Sequence, residues 1–200
     1  MLYTFLLLIT SCMSHKVNNA NTNNSKLEQT HSLGDGKMLY SFPEQGKGNW
    51  SVQDDVVMGG RSDSQLEFPD DKHAKFSGTV SLENNGGFCS MRHISDENEP
   101  YRIEKGRVAF VLLVKGDGKD YNFRVKTPNV RYSYTYTFST QDNGKWERIS
   151  IPFGSMEASF RGRKIAVPNY AAEDIVEMRF LIGNKKNESF EILIESIEVI

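Results

Sequence analysis

Two hundred residues suffice for one domain with a well-buried core and are too few to suggest two. With 24 basic and 26 acidic residues the net charge is −2, so a sequence-independent grip on nucleic acid has little electrostatic support. Twelve Phe, eight Tyr and two Trp, many in alternating runs, favour an all-β domain.

The chain opens on a short apolar run, Leu2 to Ile9, far below the roughly 20 residues that span a bilayer. Ile9-Thr-Ser-Cys12 follows, a small-residue site ending in cysteine, as in the signals of bacterial lipoproteins. The expectation is lipidation of Cys12 and an exported protein of the bacterial cell envelope, touching the membrane through its lipid anchor only. No Lys or Arg precedes the apolar run, so a plain cleaved signal and a misplaced start stay open. Residues 13–37 are Asn-rich with almost nothing apolar and read as a disordered tether.

From Met38 onward short strand signals alternate with turn residues, over 38–42, 49–53, 64–68, 74–83, 87–93, 106–115, 120–127, 131–140, 145–151, 175–183 and 190–200. Asp117-Gly118 and Asn143-Gly144 predict hairpins, because a type I′ turn needs positive φ at both central residues. Residues 107–114 form a nearly continuous apolar run that suits a strand covered on both faces. In Tyr132-Ser-Tyr134-Thr-Tyr136-Thr-Phe138-Ser the period of two puts the aromatics on one face. No window of helical length carries an apolar 3.6 period; 154–157 and 170–174 are possible single turns. The sum is a single β-sandwich or barrel over 38–200 with about ten strands.

Two segments stand out: Trp50-Ser-Val-Gln-Asp-Asp55-Val-Val-Met-Gly59-Gly60-Arg61-Ser62, and Asn84-Asn-Gly86-Gly87-Phe88-Cys89-Ser-Met-Arg92. With Phe76-Ser-Gly78, Lys115-Gly116-Asp117-Gly118, Trp146, Ile151-Pro152-Phe153 and Phe160-Arg161-Gly162, they resemble the complex I intermediate-associated protein 30 family from about Met38 to Ile200. The resemblance implies a jelly-roll β-sandwich of the galactose-binding-like kind. It also implies a non-catalytic assembly-factor role through protein binding. Organelle transit peptides are Arg- and Ser-rich, whereas residues 1–36 contain no Arg.

Asp54 and Asp55 are adjacent carboxylates before a Gly-Gly bend, where an Asp side chain ordinarily accepts backbone N–H groups; a bound cation is the alternative. The paired glycines could form arrays of N–H groups suited to anions, or tight loops with Arg61 and Arg92 paired to carboxylates such as Asp55 or Asp117. If the loops meet at one end of the sandwich, Asp55, Arg61, Arg92 and Asp117 form the leading polar site. Residues 154–168 read as a basic loop in which Arg161, Arg163 and Lys164 could contact a partner. Trp50, Trp146 and the tyrosine face could stack on sugars, though core packing is the ordinary use. Cys89 is expected buried and inert. The four His show no metal-ligand spacing, and no dinucleotide, phosphate-loop or serine-hydrolase motif is present, so no metal, cofactor or catalytic residue is expected. The functional expectation is a protein-binding assembly or chaperone-like module, with a carbohydrate-binding module as the alternative.

Overall fold

The computed structural model describes residues 36–96 and 99–200. Cys12, the signal over 1–12 and nearly all of the 13–37 tether therefore lie outside the described residues. In chain order the strands are β1 (Lys37–Ser41), β2 (Ser51–Val52), β3 (Asp63–Glu67), β4 (Ala74–Val80), β5 (Cys89–Ile94), β6 (Ala109–Lys115) and β7 (Asp120–Lys126). They continue with β8 (Ser133–Ser139), β9 (Glu147–Pro152), β10 (Glu157–Phe160), β11 (Arg163–Lys164), β12 (Glu177–Ile182) and β13 (Glu188–Val199).

These strands form two antiparallel sheets. The first runs β3-β4-β13-β6-β9, and β1 pairs with the C-terminal half of the long β13. The second runs β11-β10-β8-β7-β12-β5-β2. Strand alternation explains why they stack. On β7, Tyr121, Phe123 and Val125 are buried, while Asn122, Arg124 and Lys126 face the other way. Phe123 meets Phe180 of its own sheet at 5.3 Å between ring centroids and Phe110 of the opposite sheet at 5.4 Å. Each such ring, wholly removed from water, stabilises the sandwich by roughly 1.5–3 kcal/mol.

The apolar run behaves as its composition predicts only from Ala109. Phe110, Leu112 and Val114 are fully buried on the core side of β6 and Val111 nearly so on the other, but Val108 precedes the strand and is exposed. The tyrosine face is core: Tyr134 and Phe138 are buried and Tyr136 half-buried against it.

Three local expectations fail. Neither Asp117-Gly118 nor Asn143-Gly144 makes a hairpin, because β6 and β9 belong to the first sheet and β7 and β8 to the second. Both turns are crossovers between sheets; only their glycines take positive φ, +79° at Gly118 and +67° at Gly144, so neither turn is type I′. The Asp117 carboxylate accepts from Lys119 Nζ, Tyr121 Oη and the Glu191 backbone N–H, tying the crossover to β13.

The 154–168 segment is not a plain loop. It contains β10 and β11, joined by the two residues Arg161 (φ +50°) and Gly162 (φ +73°). That is the two-residue, doubly positive-φ turn, made by Arg-Gly instead of Asn-Gly. Residues 42–45 end the first strand in a short helical turn, with Pro43 fixing the backbone near its start.

Candidate ligand-binding groove

Asp55 begins a short 3-10 turn, Asp55–Met58, and its side chain is fully buried. Its Oδ1 accepts from Ser62 N (3.1 Å); its Oδ2 accepts from Ser62 Oγ (2.6 Å), Gly87 N (2.6 Å) and Phe88 N (3.1 Å). The two double-glycine segments do meet, and the anion they cradle is the protein's own Asp55. A Cβ on Gly60 would stand 2.1 Å from Oδ1, and one on Gly86 would stand 2.7 Å from Oδ2 and 2.6 Å from Ser81 O. Glycine is needed because the carboxylate is already there. Burial alone would raise the Asp55 pKa, but the hydrogen bonds from Ser62, Gly87 and Phe88 outweigh it and hold the group below the usual carboxylate range. Burial dominates at Asp54, whose pKa is raised despite hydrogen bonds from Ser64 Oγ and Ser90 N.

The other residues of the expected cluster go elsewhere. Arg61 is exposed and pairs with Glu83 at 3.3 Å, not with Asp55 or Asp117. Asp117 sits in the β6–β7 crossover. Among the described residues no hydrogen bond or ion pair links any two of Asp55, Arg61, Arg92 and Asp117. Lys164 pairs with Glu157 across the β10–β11 edge, and Arg163 is exposed there. Asp55 is scaffold; Arg92 and Arg161 reach a different place.

That place is the outer face of the seven-stranded sheet. Register sets Arg92 of β5 opposite Arg179 of β12, and Arg179 opposite Arg124 of β7, so three arginines stand side by side across neighbouring strands. The row continues to Thr135 of β8 and Glu157 of β10. A hollow of about 390 Å³ lies over it, also lined by Lys126, Arg131, Ser133, Ser159 and Arg161. An adjoining hollow of about 610 Å³ shares Met58, Phe88, Arg124 and Arg161 with it and reaches Gly162. Met58 and Phe160 are exposed apolar walls, at 67% and 42% of their surfaces.

The three guanidiniums are served unequally. Arg179 donates from Nε to Glu177 Oε1 (3.0 Å), from Nη1 to Ser90 Oγ (3.3 Å) and from Nη2 to Gln53 Oε1 (3.0 Å). Among the described residues Arg92 has only a distant contact, Nη1 to Glu177 Oε2 at 4.0 Å, and its Nε is buried without a partner. Arg124 makes no hydrogen bond or ion pair among the described residues, and its Nε is likewise buried and unpaired. Burial, then the neighbouring Arg179 charge, pushes the Arg124 pKa down from its ordinary value. Glu177 is the one carboxylate lining the 390 Å³ cationic hollow, and it is engaged by Arg179.

Elsewhere the candidates are structural. Trp50 is buried against Tyr40 and Phe42, and Trp146, partly exposed, stacks on His73 of the first sheet's periphery. Burial pushes the Cys89 thiol up to about 12 and His93 down to about 4, as befits core side chains. Among the described residues no group of three or more His, Cys, Asp or Glu is placed to hold a metal ion. Of the residues lining this hollow the sequence singled out Arg92 and Arg161 but not Arg124 and Arg179, since only cross-strand register brings them together.

Two stacked antiparallel sheets define a jelly-roll β-sandwich, and solved structures of that fold superpose on this chain. A family 11 carbohydrate-binding module from Clostridium thermocellum, solved with a β-1,3-1,4-mixed-linked tetrasaccharide, matches with a TM-score of 0.59 at 18% identity, over 84% of this chain and 96% of that one. The same family's module from the cellulosomal cellulase Lic26A-Cel5E of Clostridium thermocellum gives 0.60 at 18% identity, over 83% and 94%. An agarase gives 0.55 at 9% identity, covering 83% of this chain but 24% of the agarase.

Residues 40–194 match the family described as Complex I intermediate-associated protein 30, and the chain belongs to that family. It is also 27% identical over 188 residues to an uncharacterized protein of Schizosaccharomyces pombe, covering 82% of this chain and 83% of the relative.

Proposed function

We propose that this chain is a non-catalytic binding module that takes a carbohydrate chain into the groove on the outer face of its seven-stranded sheet. The observation that carries the reading is the groove: strand-borne guanidinium and hydroxyl donors on its floor, and Met58, Phe88 and Phe160 along its walls. Its hollows fall in the size range of small-ligand sites, roughly 300–1,000 Å³. Glycoside hydrolysis ordinarily asks for two carboxyl groups flanking one bond, whereas Glu177 stands alone in the cationic hollow and is held by Arg179. A family 11 module of the same fold was solved with a tetrasaccharide, so the reading asks nothing unusual of the architecture.

A second reading, an assembly factor that binds a protein, is favoured by the family match over residues 40–194. Affinity electrophoresis of the full chain through gels containing a panel of polysaccharides separates the two. The glycan reading predicts retardation by at least one polysaccharide, weakened when Met58 and Phe160 are both replaced by Ala. No retardation by any of them, together with specific capture of a protein, would replace it with the assembly-factor reading.

A further inference from the structure

Resting on that reading, we propose that the groove selects acidic glycans, chains carrying carboxylate or sulfate groups, over neutral ones. The argument begins with charge. The whole chain is net negative, at −2, yet the groove is lined by six cations and one carboxylate. Such a concentration of one sign in a hollow focuses field and raises the local concentration of the opposite charge.

Position adds to charge. Arg92, Arg179 and Arg124 occupy consecutive strands at one register level. With strands ~4.8 Å apart, the three span ~10 Å across the sheet. Like charges directly opposite one another destabilise a sheet, so a structural role would favour breaking this row. Glu177 attends to Arg179 and only distantly to Arg92, leaving Arg124 with no acceptor among the described residues. An arginine fork of five donors matches a planar carboxylate or a sulfate by paired hydrogen bonds, and these charge-assisted bonds are the strong kind. A neutral sugar hydroxyl offers no charge to a half-buried guanidinium. An acid group supplies what Arg124 and Arg92 lack.

The rim agrees with the floor. Arg161 lies at the tip of the β10–β11 turn over the same hollows, with its guanidinium 5.5 Å from the centroid of the Phe160 ring. It holds positive φ at a position where Gly or Asn would be unstrained, and strain of this kind collects at binding sites. Arg131, at the end of the β7–β8 connection, lines the cationic hollow as well. A chain crossing the groove would therefore meet cations on its floor and along its edge.

The test is binding of the full chain to polygalacturonate, a sulfated galactan, an unsulfated galactan and poly-glutamate, measured by affinity electrophoresis and calorimetry at low and moderate salt. The proposal predicts preference for one or both acidic polysaccharides over the neutral one. It also predicts a roughly tenfold or larger loss of that affinity in Arg124→Gln, and further weakening with salt. Arg124→Gln removes one of three like charges from an outer face, so it melts no lower than the parent, and lost binding is not lost folding. Equal binding of neutral and acidic galactans, insensitive to salt and to Arg124→Gln, overturns acid selection and leaves the glycan module standing. Binding to no polysaccharide overturns the glycan reading itself. Poly-glutamate bound as tightly as polygalacturonate overturns the proposal in favour of an acidic polypeptide.

Discussion

At Asp55 one buried carboxylate accepts four hydrogen bonds from two loops, and Gly60 and Gly86 are small because that carboxylate fills the space beside them. Asp55→Ala leaves buried N–H groups without partners, so we expect a loss of about 3–5 kcal/mol in urea unfolding. Asp55→Asn keeps the shape but turns an amide donor toward groups that donate, and should cost about 2–4 kcal/mol. The sign with pH follows from the lowered pKa. A depressed folded-state pKa contributes stability that is fully present above the unfolded value, near 3.9, and is lost as pH falls through the folded one. The gap between parent and Asp55→Asn should thus be widest at neutral pH and shrink below about pH 4. A gap unchanged on acidification would contradict this account. The Asp before a Gly-Gly bend was readable as a turn residue from the sequence; that one carboxylate serves both glycine pairs was not, because 32 residues separate Asp55 from Gly87.

Among the elements, the β10–β11 hairpin shows where local patterns mislead. Asp117-Gly118 and Asn143-Gly144 carry the composition of a type I′ turn, yet each joins different sheets. Turn chemistry states that the chain reverses, not which strand it then pairs with. The true two-residue turn is Arg161-Gly162, whose strands Glu157–Phe160 and Arg163–Lys164 are too short and polar to announce themselves. The longer strands were legible because alternation of buried aromatics with polar residues is strong in 120–126 and 133–139. Arg161 makes a separable prediction. Arg161→Gly relieves a left-handed backbone and should raise stability by roughly 1 kcal/mol, while weakening retention by whichever polysaccharide the parent binds. A variant that is destabilised, or that is stabilised and binds as tightly as the parent, would remove Arg161 from the site.

For the whole molecule, the division of labour runs between the two sheets. The first buries its long strand β13 between β4, β1 and β6, and its inward side chains fill the core with those of the second. The second sheet sets a row of like charges on its outer face, with hydrogen bonds among the described residues serving Arg179 but not Arg124, which is the pattern expected where function overrides local stability. Composition concealed this, since a net charge of −2 averages an acidic remainder with a cationic groove. The family was readable from ordered motifs, but those motifs are mostly turns and core; the groove comes from strands whose outward residues become neighbours only in register. The most direct test of the central claim is an NMR titration of the full chain with oligogalacturonide, observing arginine Nε–H signals. The account predicts saturable shifts at Arg92, Arg124 and Arg179, with Arg61 unmoved. Shifts at Arg61 or around Trp146, with the three groove arginines unchanged, would contradict it.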